Sequence, residues 1–228
     1  MRLNNMDSAL SEQTPRIIGM DPTMFGPIAT LLAVAAYGAL HSLFASPPLK
    51  VWARHKFGTK ADRFYRLAFN IIGTLTLIPV LAIPILFPGY TLYQVAWPWT
   101  LATSLGQAVA ILLLAIGLLQ TDVWHFLGLR QLLDAEGENP SKLVVGGLYR
   151  WVRHPLYTAG LVFIWLTPIM TTSTLSLFLG ITLYIYIGSV FEERRLQAAF
   201  GVTYTAYRRC VPRLIPVLWR KPCPEIFG

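Results

Sequence analysis

Acidic residues are scarce in this chain. It holds 11 Asp and Glu against 19 Lys and Arg in 228 residues, and charged residues of both signs make up only 13%. A soluble domain carries about a quarter, so the shortage weighs against an ordinary soluble domain. A hydrophobic content of 54% excludes a disordered chain. Cysteine is sparser still. Cys210 and Cys223 are the whole complement, and they match no disulfide framework or metal site. Residues 1–22 are polar and match no secretory signal. No G-x-G-x-x-G, P-loop or G-x-S-x-G elbow occurs. Soluble-type dinucleotide binding, ATP-driven work and serine hydrolysis therefore have no support.

What the chain has instead is long apolar blocks. About 20 apolar residues cross the roughly 30 Å of a bilayer's hydrocarbon. Residues 24–45, 67–88 and 103–121 each meet that requirement. Pro79 and Pro84 are kink points in the second block, and the third is followed by an amphipathic stretch, DVWHFLGL. Residues 155–170 are apolar but too short to cross upright, and 174–191 form a last span after the polar turn TTST. The expected fold is all-α and integral to the membrane, with five transmembrane helices, the last two a tight helical hairpin. It reads as a single membrane domain over 1–228. Residues 1–23 form a polar N-terminal arm, 24–135 hold the first three helices, and 136–228 make a C-terminal region. No internal repeat is present, which weighs against an inverted-repeat transporter.

Charge sets the expected orientation. The loop at 46–66 carries Lys50, Arg54, Lys56, Lys60, Arg63 and Arg66 against Asp62 alone. The loop at 89–102 and the turn at 171–173 carry no charge, whereas 130–153 and the tail after Phe191 are again basic. The positive-inside rule places the basic segments in the cytoplasm, with the N-terminus outside and the C-terminus inside. The net charge of +8 is thereby explained without nucleic acid as a partner.

Unusual polar residues concentrate in two runs of the C-terminal region. In KLVVGGLYRWVRHPLYTAG, residues 142–160, proline restricts His154 to an extended conformation and places Pro155 at the first helical position. The free N–H groups of that helix start, beside Arg153 and His154, suit a carboxylate. The plainer reading makes Arg150 and Arg153 topology anchors and His154 an interfacial cap. In FEERRLQAAFGVTYTAYRRCVPRLIP, residues 191–216, two adjacent carboxylates at the edge of an apolar helix are costly unless paired or solvated. The plainer reading here is a helix running into the cytosol with an exposed Glu192–Arg195 pair. Tyr204 and Tyr207 would then be interface-belt aromatics, and Gly201 a left-handed cap. His41, His55 and His125 have no carboxylate or cysteine at metal-ligand spacing, so no metal is expected.

Together the two runs resemble a known family. Gly147-Leu148-Tyr149 with Arg153-His154-Pro155-x-Tyr157, and then Glu192-Glu193-x-x-Leu196, Phe200-Gly201, Tyr204, Tyr207 and Val211-Pro212, resemble the signature of the isoprenylcysteine carboxyl methyltransferase superfamily. The resemblance implies an integral membrane enzyme using S-adenosylmethionine, bound in the cytoplasmic C-terminal region. It implies cofactor contacts at Lys142, Leu143, Val144, Tyr149, His154, Pro155, Leu156, Tyr157 and Glu192. Arg153, Glu193 and Tyr207 are candidates for positioning roles. Prenylcysteine enzymes of the superfamily place an arginine four residues before the acid pair; here that position is Gly188, which cannot pair with a substrate carboxylate. Leu40-His41-Ser42-Leu43-Phe44-Ala45, Leu127-Gly128-Leu129-Arg130-Gln131 and Thr167-Pro168-Ile169-Met170-Thr171 are similar to the bacterial methanethiol S-methyltransferases. That branch implies a multi-pass protein of the bacterial inner membrane whose acceptor is a small lipid-soluble thiol, a strong nucleophile once ionised. A prenylcysteine or phospholipid acceptor is the alternative within the class. Outside it stand an NADPH-dependent sterol-type reductase, which usually has more spans, and a non-catalytic accessory protein.

Overall fold

The computed structural model describes residues 22–121 and 143–217. The elements are α1 (Pro22–Ala45), α2 (Pro47–Phe57), α3 (Thr59–Leu86), β1 (Thr91–Gln94), α4 (Trp99–Leu119), a 3-10 turn (Gly147–Arg150), α5 (Pro155–Trp165), β2 (Ile169–Thr171) and α6 (Thr172–Cys210). Four of them, α1, α3, α4 and α6, are long and apolar enough to cross a membrane, and α5 is a shorter apolar helix. The protein is thus a mostly helical membrane protein. The polar arm and the DVWHFLGL stretch lie outside the described residues.

Helix α1 is the centre of one packed group, lying against both α3 and α6. Its contact with α6 follows a stripe of small residues. A Cβ on Gly26 would meet the Phe87 carbonyl at 2.1 Å and Ser173 Oγ at 2.5 Å, and one on Gly180 would meet Val34 at 2.7 Å. Tyr184 lies against Gly38, and Thr30 and Ser173 are fully buried. Apolar lipid gives no hydrophobic drive between helices, so close backbone approach through small residues supplies the contact energy instead. Hydroxyls inside this group bond back to their own helix, as from Thr30 to Gly26 O (2.8 Å) and Thr182 to Phe178 O (2.6 Å).

The second group is α4 with α5, where Leu156 packs on Gly117. Two features join the groups at one end. Strand β1 pairs antiparallel with β2, Tyr93 opposite Met170, and Trp165 Nε1 donates to Thr182 Oγ1 at 3.0 Å. The uncharged segments at 89–102 and 171–173 therefore meet each other.

Several boundaries differ from the sequence expectation. The basic segment at 46–66 is not a loop. Pro47 and Pro48 open a helix there, and Arg54, His55 and Lys56 occupy its last turn, where positive charge complements the helix dipole. Gly58, at φ +61°, turns the chain into α3. Both Pro79 and Pro84 sit within one continuous α3. The short helix and the last span are joined closely through β2, yet α5 packs chiefly on α4, so the two do not make the compact hairpin expected. Helix α6 continues well past Phe191, breaking at Gly201 (φ 52°, ψ −120°) before its final turns. Cys210, given no role from spacing, is disulfide-bonded.

Candidate active site

The site is built where the start of α5 meets the middle of α6. His154 is the residue before the helix, with φ −124° and ψ 68°, and Pro155 opens the helix, as the pre-proline restriction requires. The segment after α6 folds back along this start. Arg153 N donates to Pro212 O (2.8 Å), His154 N to Arg213 O (3.2 Å) and Thr158 Oγ1 to Leu214 O (2.6 Å).

The two adjacent carboxylates have different surroundings. Glu193 is 3% exposed and held on several sides. Arg153 Nε donates to its Oε1 at 2.8 Å, and Arg213 donates to both oxygens, Nε to Oε1 at 3.1 Å and Nη2 to Oε2 at 2.9 Å. Arg208 approaches at 3.8 Å. Arg153 also donates to the carbonyls of Arg208 (2.9 Å) and Val211. A buried charge is tolerable only when paired and hydrogen-bonded in this way.

Glu192 has no such saturation. His154 Nδ1 lies 3.4 Å from its Oε2 without making a hydrogen bond, and Oε2 is buried with no other partner. The Tyr157 hydroxyl interacts with the same carboxylate, and the Tyr157 ring stacks on His154 at 5.3 Å. His154 Nε2, 3.5 Å from Glu193 Oε1, and the Tyr204 hydroxyl are also buried without partners. Leaving such groups unsatisfied costs about 1–3 kcal/mol each, more when charged. Tyr149 stands in the field of Glu192. Burial first, and then that charge, raise its phenol pKa.

The residues expected at the site are placed as follows. Tyr149, His154, Tyr157 and Glu192 converge, and Arg153 and Glu193 form the clamp behind them. Tyr207 donates to Tyr149 O at 2.7 Å, linking α6 to the turn. Leu143 packs on the cluster of Tyr204, Tyr207 and Val211, and Val144 is exposed. Pro155 is buried at the helix start, while Leu156 turns its side chain onto α4. Lys142 lies outside the described residues, as does His125. Tyr204 and Tyr207 are 0% and 2% exposed; they are core and not an interface belt. The Glu192 side chain is 35% exposed with Arg195 in its field, as the surface-pair reading has it, but its Oε2 is buried on the His154 side. Sequence reasoning missed Arg213, for which the neighbouring Val211-Pro212 motif was the available signal. No group of three potential metal ligands occurs among the described residues.

A family model described as phospholipid methyltransferase matches residues 105–203, from α4 into α6. The methanethiol S-methyltransferase of Pseudomonas deceptionensis is 32% identical, the match covering 91% of this chain and 80% of that one. The chain belongs to the methanethiol S-methyltransferase family. Another family member, methanethiol S-methyltransferase 2 of Bradyrhizobium diazoefficiens, is 32% identical over 88% of this chain and 78% of its own. A third, from Mycobacterium tuberculosis, reaches 49% identity over 30% of this chain and 28% of its own. No solved structure matches. This family member is a membrane methyltransferase, and its family implies a methyl donor. The reductase and accessory-protein readings are set aside.

Proposed function

We propose that this protein transfers the methyl group of S-adenosylmethionine to a small lipid-soluble thiol, with methanethiol giving dimethyl sulfide as the leading case. The observation that carries the cofactor reading is the buried, unpartnered Oε2 of Glu192 beside a fully paired Glu193. Such an oxygen suits an ammonium, and S-adenosylmethionine has one. The backbone N–H groups of Leu156 and Tyr157, which follow Pro155 at the opening of α5 beside His154, suit its carboxylate. The faces of Tyr149 and Tyr157 suit adenine and a sulfonium charge. Leu143, packed on the Tyr204 and Tyr207 cluster, and Val144 are further contacts in this reading, and the family signature adds Lys142. Arg153, Glu193 and Tyr207 act through these residues as positioning groups. When bound, the cofactor supplies a methyl already activated on sulfur, so the chain's task is alignment and exclusion of water.

The thiol reading rests on Gly188 and on the family. No cation stands at that position for a substrate carboxylate, and a Cβ there would meet nothing within 4 Å. In this reading α5 is a fourth, short span among five. The C-terminal region is cytoplasmic and the membrane is the bacterial inner membrane. Membranes carrying the protein are expected to form dimethyl sulfide from methanethiol and methyl-labelled S-adenosylmethionine, detected in the headspace. Base-labile methyl ester from a prenylcysteine analogue, or labelled phospholipid, with no volatile sulfide would reverse the acceptor assignment.

A further inference from the structure

We infer that Gln120 is a positioning residue for the cofactor site, fixing through one hydrogen bond the turn that presents Tyr149; this rests on the S-adenosylmethionine reading above. Gln120 lies outside both sequence runs that carry the family signature. It caps the end of α4, and its Oε1 accepts the Leu148 N–H at 3.1 Å. Leu148 is in the first turn of the 3-10 segment Gly147–Arg150, where N–H groups lack acceptors inside the helix. A side chain from α4 supplies one. Gly147 lets that side chain in. It sits at φ +58°, a conformation that suits glycine. A Cβ on it would lie 2.4 Å from Gln120 Nε2 and 2.6 Å from both Cδ and Oε1. The amide therefore rests against bare backbone, in space that any other residue at 147 would fill.

The turn is tied on its other side to α6. The Tyr207 hydroxyl donates to Tyr149 O at 2.7 Å, one residue along from the bond to Gln120. Tyr149 N closes the turn on Gly146 O at 3.1 Å. Tyr149 is thus strung between α4 and α6, with Glu192 of α6 near enough for its charge to act on the phenol. The same end of α4 also seats the start of α5, since a Cβ on Gly117 would meet Leu156 at 3.0 Å and Leu148 at 3.7 Å. Strands β1 and β2 and the Trp165–Thr182 bond join the two helix groups at one end of the molecule. The Tyr149 turn joins them at the other, beside the candidate site. A ligand that needs this turn in place binds more weakly in proportion to the time the turn spends elsewhere. Loss of the Gln120 acceptor strands a part-buried N–H in the native arrangement and so lowers its population. The effect falls on cofactor binding; a bound cofactor holds the turn itself, and methyl transfer then proceeds at its usual rate.

Calorimetric titration of the full-length protein with S-adenosylmethionine tests this, using Gln120→Met, Gln120→Glu, Tyr149→Ala and the double variant of Gln120→Met with Tyr149→Ala. Methionine keeps the length and bulk of glutamine without the acceptor oxygen, and glutamate keeps the oxygen. Gln120→Met is expected to raise Kd about 10-fold, on the scale of one stranded N–H, and Gln120→Glu to stay within about threefold of wild type. In the Tyr149→Ala background, Gln120→Met should change Kd by less than about twofold, because the residue it acts through is gone. Turnover on the accepted thiol should show KM for S-adenosylmethionine rising with Kd and kcat within about twofold of wild type. Equal losses in the methionine and glutamate variants would overturn the inference. So would losses that simply multiply in the double variant, or a fall in kcat with KM unchanged. Gly147→Ala reaches the same contact from the turn side and stands in if Gln120→Met does not fold; an unchanged Kd there would also overturn it. A wild type that binds no S-adenosylmethionine would sink the cofactor reading, and this inference with it.

Discussion

Glu192 and Glu193 differ by one position in sequence and by every measure of environment. Glu193 neutralises the buried Arg153 and the partly exposed Arg213, with Arg153 and Glu193 side chains only 8% and 4% exposed and Arg213 25%. Glu193→Ala should therefore cost about 3–5 kcal/mol, because it strands those cations, and appear as a large fall in thermal stability. Glu192 supports the fold far less, since it meets only the Tyr157 hydroxyl and a loose His154 approach and its side chain is 35% exposed. Glu192→Ala should leave the melting temperature within a few degrees and weaken S-adenosylmethionine binding by about 1.5–3 kcal/mol, the scale of a hydrogen bond to a charged group. Glu192→Gln should fall between. Calorimetric titration and thermal unfolding of the two alanine variants separate these roles, and identical behaviour would contradict the division. The pair was legible in the sequence as costly, and the family resemblance marked both residues. Which of them is clamped was not. The clamp is made by Arg213 and by carbonyls at 208 and 211, which reach the site only after the chain folds back.

At the scale of the helices, hydropathy located the spans well and left the helix beyond the last one to be read from its residues. Residues 24–45 and 103–121 were expected, and Pro22–Ala45 and Trp99–Leu119 are found. The last span was expected to end at 191, where charge begins, with the helix continuing to a cap at Gly201; the helix does continue, breaks at Gly201 and resumes to Cys210. Charge ends a membrane span, not a helix. Glu-Glu-Arg-Arg-Leu-Gln-Ala-Ala is a run of good helix formers. The α1–α6 contact was not legible, because small residues are not apolar enough to stand out in a hydropathy profile. It gives a prediction of opposite signs. Gly26→Ala pushes a methyl into the Phe87 carbonyl and Ser173 and should lower stability by at least about 1–3 kcal/mol. Gly160→Ala, in a helix with nothing within 4 Å, should not lower it and should gain up to about 1 kcal/mol from helix propensity. Thermal unfolding in detergent measures both.

For the molecule as a whole, the distribution of charge makes a claim about sidedness. The end that gathers β1, β2 and the start of α6 carries no charged residue in 89–102 or 171–173, and the opposite end carries α2 and the candidate site. A reporter active only in the cytoplasm should work when fused after Arg220 and stay silent when fused to a chain cut after Thr91. The opposite pattern would place the site on the wrong face for a cytoplasmic cofactor.

The fold-back of residues 211–214 onto the start of α5 also sets an order of events during synthesis. Every described membrane helix precedes Arg213, and the carbonyls of Pro212, Arg213 and Leu214 are the acceptors that fix Arg153, His154 and Thr158. Chains emerge from the ribosome N-terminus first, at about 5–20 residues per second. Arg153 and Glu193 are thus made before Arg213, the residue that completes the clamp. In the proposed reading the cofactor site is therefore completed last, by the segment at 211–214 that returns to the start of α5.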